Sequence, residues 1–441
     1  MARATMYFPH DFLWGTATSS LQVEGNNTNS DWWSFEQQEG RILAGHRSGL
    51  ACDWWRNAES DLDRAAEMGT NAHRLSLEWS RIEPEPSVFD EDALGRYREI
   101  IQGMRQRGID PMVTLHHFSN PLWLVEKGDF SADIVTEYFR RYTAKVAASL
   151  GDVVGKWVTI NEPMVYLFAR YFDGTFPPAR KMGWNAGMQA LRHLFSCHAI
   201  AYHTLKEANP QAIVGVAKNM PVFASRSGSL PTRWWAGRLN WLFNEFWMDG
   251  MVSGRLRWPA GRGIVPHLAD SFDFVGINYY TRFYVRFPPT GGEFYYKDWG
   301  PDAQVGDGNY GEVYPAGLFQ VIKAAMRYGK PIYITENGLP DADDDLRPAF
   351  LLTHLREIWR AVSFNFPVMG YYHWSLVDNF EWDRGWTQRF GLYEMDPDTQ
   401  ARRIRPGGRL YTEICHANGI SSDMAAQYAP ELLATMFPGG A

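Results

Sequence analysis

The chain has 441 residues, 45% hydrophobic and 21% charged, with a formal net charge of −7. That balance fits a globular protein able to bury a large core, and its acidity argues against nucleic acid or an anionic membrane surface as a partner. Cys52, Cys197 and Cys415 form no Cys-x-x-Cys pair, the first ten residues lack the apolar stretch of a signal peptide, and no apolar run is long enough to span a bilayer, which together predict a cytoplasmic protein with reduced thiols.

In chain order, short β-rich runs recur at Phe12–Thr16, Asn71–Leu77, Pro111–Leu115, Lys156–Ile160, Ala212–Val216, Phe272–Ile277, Pro331–Thr335 and Val368–Tyr372. Helical periodicity fills the intervals. Leu94, Tyr97, Ile101 and Met104 share a face between Asp90 and Gly108, and the glycine is placed to stop that helix. Val135, Phe139, Tyr142 and Val146 do the same between Ser131 and Gly151, a plausible cap and stop. Met188, Leu191, Phe195, His198, Tyr202 and Leu205 form a third stripe. Eight nearly continuous apolar strands alternating with helices predict a parallel α/β sheet, most simply closed as a (β/α)₈ TIM barrel. The strands are spaced more widely than a minimal barrel requires, so long loops are expected after them. No Pro-, Gly- or Ser-rich linker interrupts the chain, and residues 1–441 read as one domain.

Two glutamates close predicted strands: Glu162 in Lys156-Trp-Val-Thr-Ile-Asn-Glu-Pro163 and Glu336 in Pro331-Ile-Tyr-Ile-Thr-Glu-Asn-Gly338. Alone, each would be an ordinary strand-end carboxylate. On strands four and seven of a barrel, however, both can reach one pocket at its C-terminal face. Asn337-Gly338 has the composition of a tight turn that would leave Glu336 at the strand tip. A retaining glycosidase needs this equipment, with one carboxylate ionised as nucleophile and the other protonated to serve the leaving oxygen. The charge of the first raises the pKa of the second. Aromatic residues make up 15% of the chain, with 19 Trp, which suits either a ring-rich core or a pocket that stacks on sugars.

Six motifs in order give the chain a specific resemblance to the family-1 glycoside hydrolases, the β-glucosidase and β-galactosidase family. They are Phe12-Leu-Trp-Gly-Thr-Ala-Thr-Ser-Ser-Leu-Gln-Val-Glu-Gly25, Arg74-Leu-Ser-Leu-Glu-Trp-Ser-Arg81, Thr159-Ile-Asn-Glu-Pro163, Gly276-Ile-Asn-Tyr-Tyr280, Ile334-Thr-Glu-Asn-Gly338 and His373-Trp-Ser-Leu-Val-Asp-Asn-Phe-Glu-Trp382. The resemblance implies Glu162 as acid/base and Glu336 as nucleophile, with Arg74, Asn278 and Tyr280 supporting the nucleophile. It implies sugar contacts from Gln22, His117, Asn161, Glu381 and Trp382, stacking by Trp374, and no metal or cofactor. Glu78 receives no catalytic role. The implied reaction is retaining hydrolysis of O-linked β-glucosides, with β-galactosides and β-fucosides as further substrates and carboxyl groups about 5 to 5.5 Å apart. Transglycosylation by the same residues and an inactive sugar-binding protein are the alternatives. Glu381 would repel a sugar phosphate, which favours non-phosphorylated substrates.

The chain departs from the family pattern at Met164 and Phe118, where many members carry Trp, and at Gly311. These changes touch the leaving-group side and imply a roomier entrance. Gly306-Asp-Gly-Asn-Tyr-Gly311 matches G-x-G-x-x-G but follows the loop Lys297–Pro301 rather than a strand, so it carries no dinucleotide expectation. His116 with His117, and His193 with His198, lack the partners of a zinc site.

Overall fold

The computed structural model describes residues 4–290, 293–296, 299–300 and 302–438; Lys297, Asp298 and Pro301 of the loop named above lie outside the described residues. Eight parallel strands close a barrel: β1 (Leu13–Ala17), β2 (Ala72–Ser76), β3 (Asp110–His116), β4 (Lys156–Asn161), β5 (Ile213–Asn219), β6 (Phe274–Asn278), β7 (Ile332–Asn337) and β8 (Val368–Trp374), each paired with its sequence neighbour and β8 with β1. These are the eight expected runs, with ends shifted by up to three residues. Among the described residues, no helix is long and apolar enough to cross a membrane.

The helices form where the apolar stripes predicted them. Helix α1 (Trp54–Glu67) precedes β2, and α2 (Glu91–Gln106) begins at Asp90, whose side chain accepts the Ala93 amide at 2.9 Å; this leaves one fewer orphan N–H at the helix start. Its stripe of Leu94, Tyr97, Ile101 and Met104 is buried, and Gly108 takes φ +73° just beyond its end. Helix α3 (Val135–Leu150) starts later than expected. Ser131 does not cap it but closes a short 3₁₀ turn, donating its hydroxyl to the Gly128 carbonyl. Helix α4 (Trp184–Ala208) carries the third stripe, with His198 inside the core between the Thr159 hydroxyl and the Ser271 carbonyl.

Packing follows the alternation of the strands. One face of each strand meets the helices; the other fills the barrel interior, where Ala17, Ala72, Met112, Val158, Phe274, Tyr333 and Tyr372 pack together. Gly215 is required here, because a Cβ at this position would lie 2.8 Å from the Phe274 ring.

The excess chain lies in loops after the strands, and buried charge ties these loops together. Arg170, in the π-helical turn Phe168–Asp173 after β4, pairs with Asp129 and, at 2.8 Å, with Asp31, and donates to the Pro177 carbonyl. Asp31, in the loop after β1, also accepts the Asn120 amide and side chain from the loop after β3. One guanidinium therefore spans three loops of the barrel mouth. Removing it strands two buried carboxylates, which costs about 3–5 kcal/mol. Arg170→Met is expected to lose that much in equilibrium urea unfolding; a loss below about 1 kcal/mol would mean that the loops do not depend on this pairing.

Candidate active site

The cavity at the C-terminal mouth of the barrel has a volume of about 380 Å³, within the range of small-molecule sites. Its lining divides into a polar set, including Gln22, His117, Asn161, Glu162, Glu336 and Glu381, and an apolar set, including Val165, Phe168, Phe223 and Phe243. Both sequence-marked glutamates are buried and line it.

Glu336 is the penultimate residue of β7. Arg74, from the neighbouring layer of β2, donates Nη1 to its Oε1 at 2.5 Å, and the Tyr280 hydroxyl donates to its Oε2 at 2.7 Å. Burial raises the Glu336 pKa; the Arg74 cation and the Tyr280 hydrogen bond oppose that rise by favouring the ionised form. The strand runs through Asn337 without the expected turn. Gly338 serves close packing instead: a Cβ there would lie 1.9 Å from the Trp374 carbonyl oxygen.

Glu162 follows β4 in a left-handed conformation, φ +43°, and its amide donates to the Ala217 carbonyl on β5 at 2.7 Å. Pro163 then opens the helix Pro163–Leu167 with φ already set for it. A non-glycine residue in this region costs about 1–3 kcal/mol, a strain concentrated at functional sites. Phe118 and Trp382, also on the cavity wall, have positive φ as well. Burial, and after it the charge of Glu336, push the Glu162 pKa up to about 8. The two carboxylates thus differ in environment: Glu336 receives a guanidinium and a phenol, whereas Glu162 accepts from the amides of Asn278 at 2.8 Å and Asn219 at 3.4 Å.

Asn278 was expected to support Glu336. Its amide nitrogen donates to Glu162 and to Asn161, its oxygen accepts from Thr335, next to Glu336 in β7, and hydrogen bonding from its side chain also favours the ionised form of Glu336. Asn278 thus lies between the two glutamates and acts on both. Asn161 accepts from Arg74 at 2.6 Å and donates to Nε2 of His117. Burial, reinforced by Arg74, holds His117 well below its ordinary pKa, so the ring is neutral. It lies nearly parallel to Trp374 and Trp382, with ring centroids 6.0 Å from each. Gln22 donates to Asn379 and, at 2.9 Å, to Glu381, whose pKa burial pushes up to about 8. Glu78 lies apart: it caps the helix Trp79–Ile82 and accepts from Ser20 and Ser119.

Four contributors escaped the sequence reading. Asn219 touches Glu162, and Lys218 is fully buried, with Nζ donated to the Asn219 carbonyl at 2.6 Å and its pKa lowered by burial to about 7. Asn309 and Tyr310 line the cavity from within the glycine-containing segment dismissed as a chance match. That segment does form a loop, as expected, and its residues reach the site from there. The run Val216-Ala-Lys-Asn219 held the one available signal, a lysine and an asparagine at the end of an otherwise apolar strand.

Comparison with known proteins bears on this arrangement as a whole. Residues 4–420 match the family described as glycosyl hydrolase family 1. Among curated relatives, a beta-glucosidase A of Thermotoga maritima is 30% identical over 94% of this chain and 98% of its own length, and a beta-galactosidase of Sulfolobus acidocaldarius is 29% identical over 95% and 96%. Among solved structures, a beta-glycosidase from Pyrococcus horikoshii superposes with a TM-score of 0.89 at 37% identity, covering 96% of this chain and 98% of that one. A Thermotoga maritima beta-glucosidase in complex with glucoimidazole gives 0.87 at 28% identity, covering 94% and 100%. A closed barrel with two buried glutamates at its mouth, and a family match over nearly its whole length, make this chain a member of glycosyl hydrolase family 1.

Proposed function

We propose that the protein is a retaining β-glycosidase that hydrolyses O-linked β-glucosides, and β-galactosides and β-fucosides with them. The observation that carries this reading is the unequal set of hydrogen-bond partners of Glu162 and Glu336 within one buried cavity. Glu336, held by Arg74 and Tyr280, is the nucleophile: its oxygen attacks the anomeric carbon, and the bond to the leaving oxygen breaks. Glu162, its pKa raised to about 8 by burial and by the charge of Glu336, gives its proton to that oxygen. It then takes a proton from water as the water displaces Glu336 and releases the sugar with its configuration retained. Gln22, His117, Asn161, Glu381 and Trp382 bind the hydroxyls, and Trp374 stacks beneath the ring. The names of the relatives, beta-glucosidase and beta-galactosidase, support this substrate class, as does the glucoimidazole bound to the Thermotoga maritima neighbour.

We further read residues 1–441 as one catalytic domain, acting in the cytoplasm without metal or cofactor. The pairing of Thr5–Tyr7 with Gly419–Ser421 supports the first point, and three buried free thiols support the second.

The chemistry sets the expected pH dependence. Activity requires Glu336 ionised and Glu162 protonated, so it should fall at low pH as Glu336 takes up a proton, and at high pH as Glu162 loses one near 8. Tyr280→Phe removes a hydrogen bond that favours the ionised form of Glu336, so the acidic limb of the kcat/KM profile should move to higher pH while the alkaline limb stays in place. An unmoved acidic limb would exclude Tyr280 from that role.

Role assignment has its own test. Glu336→Gly should abolish aryl β-D-glucoside turnover, and added azide should restore part of it as the α-glucosyl azide. Glu162→Ala should lower kcat by about 10²–10⁴-fold for poor leaving groups and less for activated aryl ones. Proton NMR of the first-formed sugar should give the β-anomer. An α-anomer would rule out the retaining mechanism, and no turnover by the folded parent on glucoside, galactoside or fucoside would rule out the reading itself.

A further inference from the structure

Phe168 and Phe243 separate the active-site cavity from a second, apolar cavity of about 220 Å³, whose lining includes Trp184 and Trp258. The buried group that the mechanism above leaves unused is not there but in the barrel wall. It is Lys218, the penultimate residue of β5.

Strand alternation fixes the face on which Lys218 lies. Ala217 packs inside the barrel and Asn219 lines the cavity, whereas Val214 and Val216 belong to the core outside the strands. Lys218 shares their face and is fully buried. Its Nζ donates to the Asn219 carbonyl at 2.6 Å, its one hydrogen bond among the described residues. Every other buried cation among them, Arg74, Arg170, Arg347 and Arg405, pairs with a carboxylate. A buried ammonium without such a partner is costly, and an exception of this kind beside a reactive group points to function.

The end of β5 surrounds the acid/base. The Ala217 carbonyl accepts the Glu162 amide at 2.7 Å, and the Asn219 side chain donates to Glu162 Oε1 at 3.4 Å. Lys218 lies between them and holds the Asn219 carbonyl. Burial lowers the Lys218 pKa to about 7 against the charge of Glu162; below that pH Lys218 is charged and favours the ionised form of Glu162. Arg74 acts in the same sense and Glu336 in the opposite one. The remaining groups that face Glu162, which are Tyr280, Tyr310 and Glu381, are neutral in this range, because burial raises the pKa of each.

In the glycosyl-enzyme this balance changes. Glu336 is then esterified and carries no charge, while Glu162 has given up its proton and must stay ionised to take one from water. Arg74 and Lys218 remain to favour that form, in a cavity whose burial opposes it.

We propose that Lys218 is a positioning residue for the second half of the reaction: it holds the end of β5 against Glu162 and keeps that carboxylate ionised as the base while Glu336 is bound to the sugar. The inference rests on the glycosidase reading above and adds a residue to its second step.

Trapping the enzyme with an activated 2-fluoro aryl β-D-glucoside and following its reactivation by water isolates that step. Lys218→Met keeps an unbranched apolar side chain and removes the charge. In it the acidic limb of the reactivation rate should move up by about half a pH unit, and the rate below the limb should fall about threefold. The acidic limb of kcat/KM, set by Glu336 in the free enzyme, should stay in place. The urea midpoint should be no lower than the parent's, since an unpaired buried charge has been removed. Lys218→Arg retains a cation and should keep the limb at the parent's pH. An unmoved reactivation limb in Lys218→Met would overturn the proposal. So would an equal loss of rate at every pH with a lowered urea midpoint, the mark of a structural role. A folded parent that is neither trapped by the fluoro-glucoside nor active on aryl glucosides would overturn the glycosidase reading, and this inference with it.

Discussion

Arg74 gives its two terminal nitrogens to different partners, Nη1 to Glu336 on β7 and Nη2 to Asn161 on β4, while Nε donates to Thr114 on β3. The guanidinium itself is buried, with 1% of its side chain exposed. Two carboxylates in the same water-poor cavity would repel each other and neither would readily ionise. A guanidinium hydrogen-bonded to one of them breaks that symmetry, while the charge of the buried Lys218 opposes only part of the rise in the Glu162 pKa. Asn278 extends the network to Glu162 by hydrogen bonds from an uncharged amide, which orient the carboxylate and offset its desolvation only in part. The difference between the two glutamates thus comes from which strand ends next to Arg74.

That network is held in place by two different kinds of structure. The strands supply Arg74, Asn161, Glu336 and Trp374 from a barrel whose interior is packed solid, so these side chains start from fixed positions. The loops supply Gln22, His117, Tyr280, Glu381 and Trp382, and they owe their order to buried polar contacts such as the Arg170 pairs with Asp31 and Asp129. The tryptophans serve both uses that composition had left open. Trp14, Trp54, Trp79, Trp157 and Trp247 are core residues, Trp374 and Trp382 stand against the cavity, and Trp184 and Trp258 face solvent at the neighbouring pocket.

Where the sequence reading erred, the cause lay in a competing local turn or in neighbours remote along the chain. Ser131 had the right chemistry for a cap, but the segment before α3 winds into a 3₁₀ turn that uses its hydroxyl elsewhere. Asn337-Gly338 had the composition of a turn, yet the glycine is there because the Trp374 carbonyl crosses it. Asn278 serves Glu162 as well as Glu336, which linear order along β6 does not reveal. Lys218 lay beyond the predicted strand Ala212–Val216, and Asn309 and Tyr310 looked like loop residues with no role.

By itself the sequence determined the eight strands, the stripes of the helices between them, the place of Glu162 and Glu336 at strand ends, and the resemblance to family 1. These depend on short-range periodicity and on local motifs, which the linear order preserves. Only the tertiary structure decided that Arg74 bonds to Glu336 rather than Glu162, that Glu162 sits in a left-handed conformation anchored to β5, and that a second, apolar cavity adjoins the first. Each of those rests on contacts between residues far apart in the chain, and on the exclusion of water that burial brings; closing the barrel creates both.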